Sequence, residues 1–517
     1  MVFGTQFNSN DFRFLLLGAL FIIASLLLFR SGKTGLSLVF LSMGAFAVRF
    51  FMIRLDPFLN IWDEQFHALV AKNMMVHPFT PMLYTKAILY KNPDDWICGH
   101  IWLHKEPFFL WVIALSYKVF GVNEIALRLP SALLTTGMII MVYRMGKLLI
   151  NNNTGYYAAF LFALANYQLE MVTGGINCDH HDVFFMVFVA ATFWSWIEYK
   201  HSGKFCWVLC IGIFSGIAVL IKWLTGLLIF GCWGITILFD KEKRFHIRAY
   251  RDIVISFLLA VIIFLPWVIY SFVRFPVEAA TVYASYSAHF TTVLENHAGD
   301  HYYHLDLISP QYGWIVPFVI IPALYLLYKK LKEKKQELIL LTSWLLLVHI
   351  FYAITKTKMP LFTIIVCPVI FIALGSLLSD SINFIEAKVI KFAGVIVIAM
   401  LLAIGYFNLN LTEIEARNTD ISDMKGWRDG LMQNNEIYKK LPSILHSKDY
   451  VIFNCKPFSF ISAMYYSGFI VYPDIPDSAT YIDLKKQNIP MAIFKGANIP
   501  SYITKDSATV KLNFDIF

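Results

Sequence analysis

About twelve apolar runs, each close to the roughly 20 residues that a helix needs to cross a bilayer, leave this chain few folds to choose from. They lie near 12–29, 36–53, 129–149, 154–172, 181–199, 205–221, 223–239, 252–273, 310–328, 337–354, 360–379 and 388–408. Backbone inside hydrocarbon must satisfy its own N–H and C=O groups, so each run is expected to be a helix. The expected architecture is a polytopic α-helical membrane protein with about twelve transmembrane helices. Composition agrees, with 58% of the 517 residues hydrophobic and only 15% charged. The formal charge of +8 would suit a polyanion, but the basic residues sit in short clusters between apolar runs, where they set membrane orientation. Nucleic acid is not an expected partner; membrane lipids are. Seven cysteines show no CxxC pair, and Cys206, Cys210, Cys232 and Cys367 fall inside apolar runs as small hydrophobes.

The basic clusters also set the sidedness. Arg30/Lys33, Arg144/Lys147, Lys200/Lys204, "DKEKRFHIRAYR" and "KKLKEKK" occupy alternate connections, which the positive-inside rule places in the cytoplasm. The remaining connections then face outward. This parity closes only if "KEPFFLWVIALSYKVFG", near 105–121, lies at the interface rather than crossing. It belongs to one long outer loop, about 54–128, and a second outer segment covers about 274–309. The expected division is a membrane domain over 1–409 and an extracytoplasmic domain over 410–517. In the tail, strand-like "YVIFNC", "FIVYP" and "MAIF" alternate with helix-like "MKGWRDGLMQNNEIYKKL" and "PFSFISAMYYSG", the pattern of a small α/β domain.

Chemistry-bearing residues collect on the outer side. Asp63 and Glu64 open the helix-like "DEQFHALVAKNM", where carboxylates also simply complement the helix dipole. Asp179 and Asp182, three residues apart at the outer start of a span, share a face if helical. Capping accounts for one of them at most. Lys356 and Lys358 flank Thr357 in a short outward connection where positive charge is disfavoured, so something anionic is expected to hold them. A lipid phosphate fits. Lys222, in "IKWLTG" at the outer turn of a tight helix pair, is a functional candidate because ionisable groups there are costly. His104, His297 and His301 could supply imidazole to a divalent metal beside a carboxylate, although no HExxH spacing marks a site.

In order along the chain, the "DE" pair after an early span, "HKEPFFLWVIALSYKVFGVNEIALRLPSAL", an acid at the outer start of a span, "IKWLTG", "ENHAGDHYYHLDL" and "KTKMPLF" resemble the polyprenyl-phosphate-sugar glycosyltransferases of the GT-C superfamily. That group includes aminoarabinose transferase and the protein O-mannosyltransferases. The resemblance covers about 50–370. It implies that Asp63 is the catalytic carboxylate and that Lys105 matches the lysine of the family's "KPP" motif. This chain has "KEP", with Glu106 where a proline is usual, and "DHHD" leaves open whether Asp179 or Asp182 is the second acid.

The resemblance implies a multi-pass enzyme of the bacterial inner membrane whose active site and C-terminal domain face the periplasm. It would move a sugar from a polyprenyl-phosphate donor to a lipid, glycan or protein acceptor, with inversion. A departing phosphate is already an anion, so cations serve it better than a proton donor. Lys105, Lys222, Lys356 and Lys358 are the candidates. An acceptor proton remains for a carboxylate to take. Asp63 is expected in that role, with Glu64 beside it and Asp179 or Asp182 orienting acceptor or sugar. The competing class, a lipid or sugar transporter or flippase, would place charges at the bilayer midplane in repeated halves; here they gather at one rim and no repeat is evident.

Overall fold

The computed structural model describes residues 9–92, 95–175, 180–388, 393–411, 414, 423–447 and 449–517. The chain folds as two compact units. One comprises Met1–Leu55, Lys105–Phe109 and Arg128–Thr412; the other comprises Asp56–His104, Leu110–Leu127 and Glu413–Phe517. The long outer loop, expected to belong with the membrane domain, therefore clusters mostly with the C-terminal tail.

Among the described residues, eight helical stretches are long and apolar enough to cross a membrane, or nine if a pair bent by 96° counts as one. In chain order the first are α1 (Ser9–Arg30) and α2 (Thr34–Ile53). After α3 (Asp63–Met74) and α4 (Phe108–Phe120) come α5 (Glu124–Leu149), α6 (Asn152–Ala163), α7 (Asn166–Glu170), α8 (His180–Ser202), α9 (Cys206–Lys222) and α10 (Leu228–Leu238). Then follow α11 (Arg251–Arg274), α12 (Pro276–Thr291), α13 (Tyr303–Asp306), α14 (Ile308–Tyr312), α15 (Val316–Leu331), α16 (Lys335–Ile354), α17 (Cys367–Lys388) and α18 (Ala393–Leu409).

The expected count of about twelve is not reached by length alone. The run at 154–172 is interrupted: α6 stops after 12 residues, and the buried Arg49 guanidinium donates to the Ala163 carbonyl at its end. The run at 310–328 starts only at Val316, after the 96° bend. Helix α18 has 17 residues. Helix α4, with 13, is too short to span, as its interfacial reading required.

Cys206–Leu238 passes the length test as one stretch, yet it doubles back after Lys222. Ser215 donates to the Gly226 carbonyl at 2.7 Å, and a Cβ on Gly226 would strike the Val219 nitrogen at 2.5 Å. In one straight helix residues 215 and 226 would be about 16 Å apart. The tight helix pair expected there is present. Close backbone approach recurs where Gly212 and Gly216, one turn apart on α9, face the Ser256 and Ala260 carbonyls of α11, the small-residue packing that apolar helices use in lipid.

The basic clusters meet at one end of this unit. Arg30 pairs with Glu386, Arg144 with Glu198 at 2.7 Å and Lys330 with Asp380 at 2.7 Å, while Lys334 donates to the Leu148 and Leu149 carbonyls. Helix α8 runs from Asp182 in its first turn to Glu198 near its last, so Asp182 lies at the opposite end.

In the other unit, α19 (Asp423–Leu445), α20 (Ser459–Ser467), α21 (Ser478–Lys486) and α22 (Ser501–Thr504) accompany four strands: β1 (Val451–Phe453), β2 (Ile470–Val471), β3 (Met491–Phe494) and β4 (Val510–Leu512). The sheet is fully parallel, in the order β2-β1-β3-β4. β1 and β3 are buried throughout, as continuous apolar runs covered on both faces should be. The tail grips the outer loop at several points. Arg428 pairs with Asp56, Tyr466 donates to Glu124 at 2.5 Å, and Lys91 pairs with Asp474 at 2.9 Å.

Candidate functional site

In the first unit a cationic cluster forms where α8, α9, α12 and the "KTK" turn come together. Asp182, 7% exposed, takes the Lys222 ammonium at 2.5 Å. The Lys222 charge also lies over the Phe362 ring, 4.9 Å from its centroid. Two residues expected in separate roles are thus one ion pair, and its geometry suits a fixed second acid better than a mobile one. Asp179 lies outside the described residues.

The 356–358 turn is held by its backbone. Its three N–H groups donate in order to the carbonyls of Phe290, His289 and His297, and the Thr357 hydroxyl donates to the Thr292 carbonyl. The two lysines then part company. Lys358 is buried, and its ammonium donates to the Tyr352 and Ala353 carbonyls at 2.6 and 2.8 Å, anchoring the turn to the end of α16. Lys356 is exposed. Of the pair, Lys356 is the one free to meet an anion from outside.

His289, near the end of α12, reports the local field. Burial first, then the charges of Lys105, Lys222 and His297, push its imidazole down to about 4. Two lysines expected to act on one phosphate, Lys105 and Lys222, therefore act on one side chain, together with His297, a candidate metal ligand. Sequence reasoning passed over His289, and nothing in its neighbourhood, "YSAHFTT", distinguishes it.

Glu106, next to Lys105, is buried with no cation paired to it among the described residues; Trp267 of α11 and Tyr283 of α12 hydrogen-bond to it. Burial pushes its carboxyl up to about 8, against the pull of those two donors. Where the resemblance expects a proline, the chain thus holds a carboxyl that keeps its proton well above the usual range and hydrogen-bonds the Lys105 loop to the α11–α12 corner.

The second unit holds the acid pair. Asp63 opens α3 and is half-buried. Glu64 is buried, and its carboxylate accepts from the Asn60 backbone N–H at 2.6 Å and from the Asn60 side chain at 3.1 Å. Glu64, grouped above with the catalytic candidates, therefore braces the turn into α3. His104 stacks on Trp96 at 4.2 Å and 10°. Among the described residues no three or more His, Cys, Asp or Glu side chains gather as a metal-binding set, and His104 and His297 belong to different units.

Residues 104–270 match the family model described as dolichyl-phosphate-mannose-protein mannosyltransferase. A protein of Aquifex aeolicus (strain VF5), described only as uncharacterized, is 24% identical over 357 residues, 68% of this chain and 65% of its own length. "Undecaprenyl phosphate-alpha-4-amino-4-deoxy-L-arabinose arabinosyl transferase 1" of Pseudomonas fluorescens is 22% identical over 311 residues, 58% of this chain and 55% of that protein. The chain thus spans just under two thirds of the first of these curated relatives and little over half of the second. The crystal structure of ArnT from Cupriavidus metallidurans bound to undecaprenyl phosphate superposes with a TM-score of 0.59 at 14% identity, covering 92% of this chain and 89% of that one. An Archaeoglobus fulgidus oligosaccharyltransferase tethered to an acceptor peptide superposes at 0.56 and 12% identity, covering 88% and 65%. The chain shares its fold with these two structures.

Proposed function

We propose that this chain is an integral-membrane glycosyltransferase that moves a sugar from a polyprenyl-phosphate donor to an acceptor at the extracytoplasmic face of the bacterial inner membrane. The observation that carries this reading is the convergence of Lys105 and Lys222 on His289, beside a turn that presents Lys356. A preorganised group of cations outside the apolar spans stabilises a phosphate as it departs. The shared fold and the match over 104–270 support the choice of donor. Charges gathered at one end of the helical unit favour a transferase over a carrier, which would need them at midspan.

In this scheme Asp63 takes the acceptor proton while the acceptor oxygen or nitrogen attacks the anomeric carbon. The bond to phosphate breaks through an oxocarbenium-like state. One displacement inverts the anomeric centre, and undecaprenyl or a similar polyprenyl phosphate leaves toward Lys105 and Lys356. The Asp182–Lys222 pair orients the sugar or acceptor.

The test uses the purified chain with undecaprenyl-phosphate-linked 4-amino-4-deoxy-L-arabinose and total membrane lipid as acceptor, reading release of undecaprenyl phosphate. Lys356→Gln should weaken binding of undecaprenyl phosphate by about 1.5–3 kcal/mol, one charge-assisted hydrogen bond. Tight binding of undecaprenyl phosphate without release from any polyprenyl-phosphate sugar would turn the reading into a lipid carrier.

A further inference from the structure

Asp63 stands at the start of a helix that local chemistry alone does not place. The residue before it, Trp62, is the N-cap of α3, has φ 83° and ψ −127°, and makes no side-chain capping bond. N-caps are ordinarily Ser, Thr, Asp or Asn, and this backbone region is one that bulky side chains avoid. A tryptophan persists there only if its surroundings hold it.

The surroundings come from the tail. The Trp62 ring lies 4.6 Å from that of Phe458, and Phe458 is itself left-handed, with φ 67°. Trp96 closes the other side at 5.7 Å and 83°. Phe458 ends the loop from β1 into α20. With the strand order β2-β1-β3-β4, that loop leaves the carboxyl end of β1 where the order reverses, the edge at which parallel α/β sheets present functional groups. The far end of α3 is fixed by the same segment: Lys72, in its last turn, donates to the Tyr465 carbonyl of α20 at 2.5 Å. Both ends of α3 are therefore clamped by residues 458–465.

We infer that the C-terminal α/β part takes a direct share in the reaction, with Phe458 acting as a positioning residue that holds Trp62 and thereby aims the Asp63 carboxylate. This rests on Asp63 being the base of the proposed transfer. Displacing a reacting group by about 1 Å can cost a hundredfold in rate, so the contact should be visible in turnover.

The experiment compares full-length Phe458→Ala, Phe458→Tyr and, as an exposed control in the same unit, Ile482→Ala, all in detergent. Phe458→Ala should lower kcat by about tenfold to a hundredfold while KM for the donor and binding of undecaprenyl phosphate stay within about twofold. Hydrogen exchange should quicken at the amides of 62–66 but not in β1 or α8. Phe458→Tyr keeps the ring and should restore both readouts, and Ile482→Ala should change neither. Wild-type kcat in Phe458→Ala, a loss that Phe458→Tyr does not repair, or unchanged exchange at 62–66 would each overturn the inference. If the wild-type chain itself releases no undecaprenyl phosphate, the transferase reading fails instead, and the exchange measurement alone decides whether Phe458 holds the start of α3.

Discussion

Asp182 and Asp63 each sit in the first turn of a helix, yet they are positioned by different means. Asp182 is fixed by a partner: the Lys222 ammonium reaches it from another helix, and both are largely removed from solvent. Asp63 is fixed by its backbone, through a left-handed Trp62 on one side and Glu64 bonded back to Asn60 on the other. The two acids share a residue type and a place on a helix, and the proposed scheme gives the ion-paired one an orienting role and the other the acceptor's proton.

The largest effect should follow from breaking the reactive side of this contrast. Asp63→Asn preserves size and most hydrogen bonds but cannot take a proton, so turnover should fall by about 10²–10⁴ with undecaprenyl phosphate binding retained. Glu64→Gln should act on stability rather than on the chemical step. If Asp63→Asn turned over normally, the base would have to be sought elsewhere.

Breaking the structural side should show in stability first. Lys222→Met leaves the Asp182 carboxylate buried without its cation, a loss of about 3–5 kcal/mol for a buried pair. Asp182→Asn combined with Lys222→Met should recover much of that, measured as the unfolding midpoint in detergent. Strict additivity of the two single changes would show that the pair is not coupled.

A smaller, pH-dependent effect belongs to Glu106. The folded chain keeps this proton up to about pH 8, whereas the unfolded chain releases it in the ordinary carboxyl range. Between those values the folded state binds more protons, so stability from this group is full at low pH and is lost as pH rises through about 8. Glu106→Gln should flatten the decline in unfolding midpoint between about pH 5 and 8.5. An equally steep decline in the variant would place the titration on another group.

Much of the helical unit could be read directly, because apolar length and basic spacing are local properties. The reversal after Lys222, the short α4 and the sidedness of the basic clusters all follow from them. Three of the four strands were visible as apolar runs. β4 was not, since "VKL" at 510–512 is three residues long with a lysine at its centre. The end of α6 at Ala163 escaped, and the guanidinium that meets its last carbonyl, Arg49, is more than a hundred residues away. Glu106 carried a signal, an acid amid aromatics where the resemblance expects proline, but its raised pKa comes from burial, against the pull of Trp267 and Tyr283.

What the sequence determined by itself is what depends on near neighbours: which segments are helices, which connections share a side, and which acids and lysines are candidates for one rim. Tertiary structure alone decided how those candidates are employed. Lys356 and Lys358 are two residues apart and chemically identical, yet one is exposed while the other is spent on the carbonyls of Tyr352 and Ala353. Trp62, the residue before Asp63, packs on Phe458, nearly four hundred positions later. A side chain's role follows from the field and the partners around it, and those are assembled only when distant segments meet.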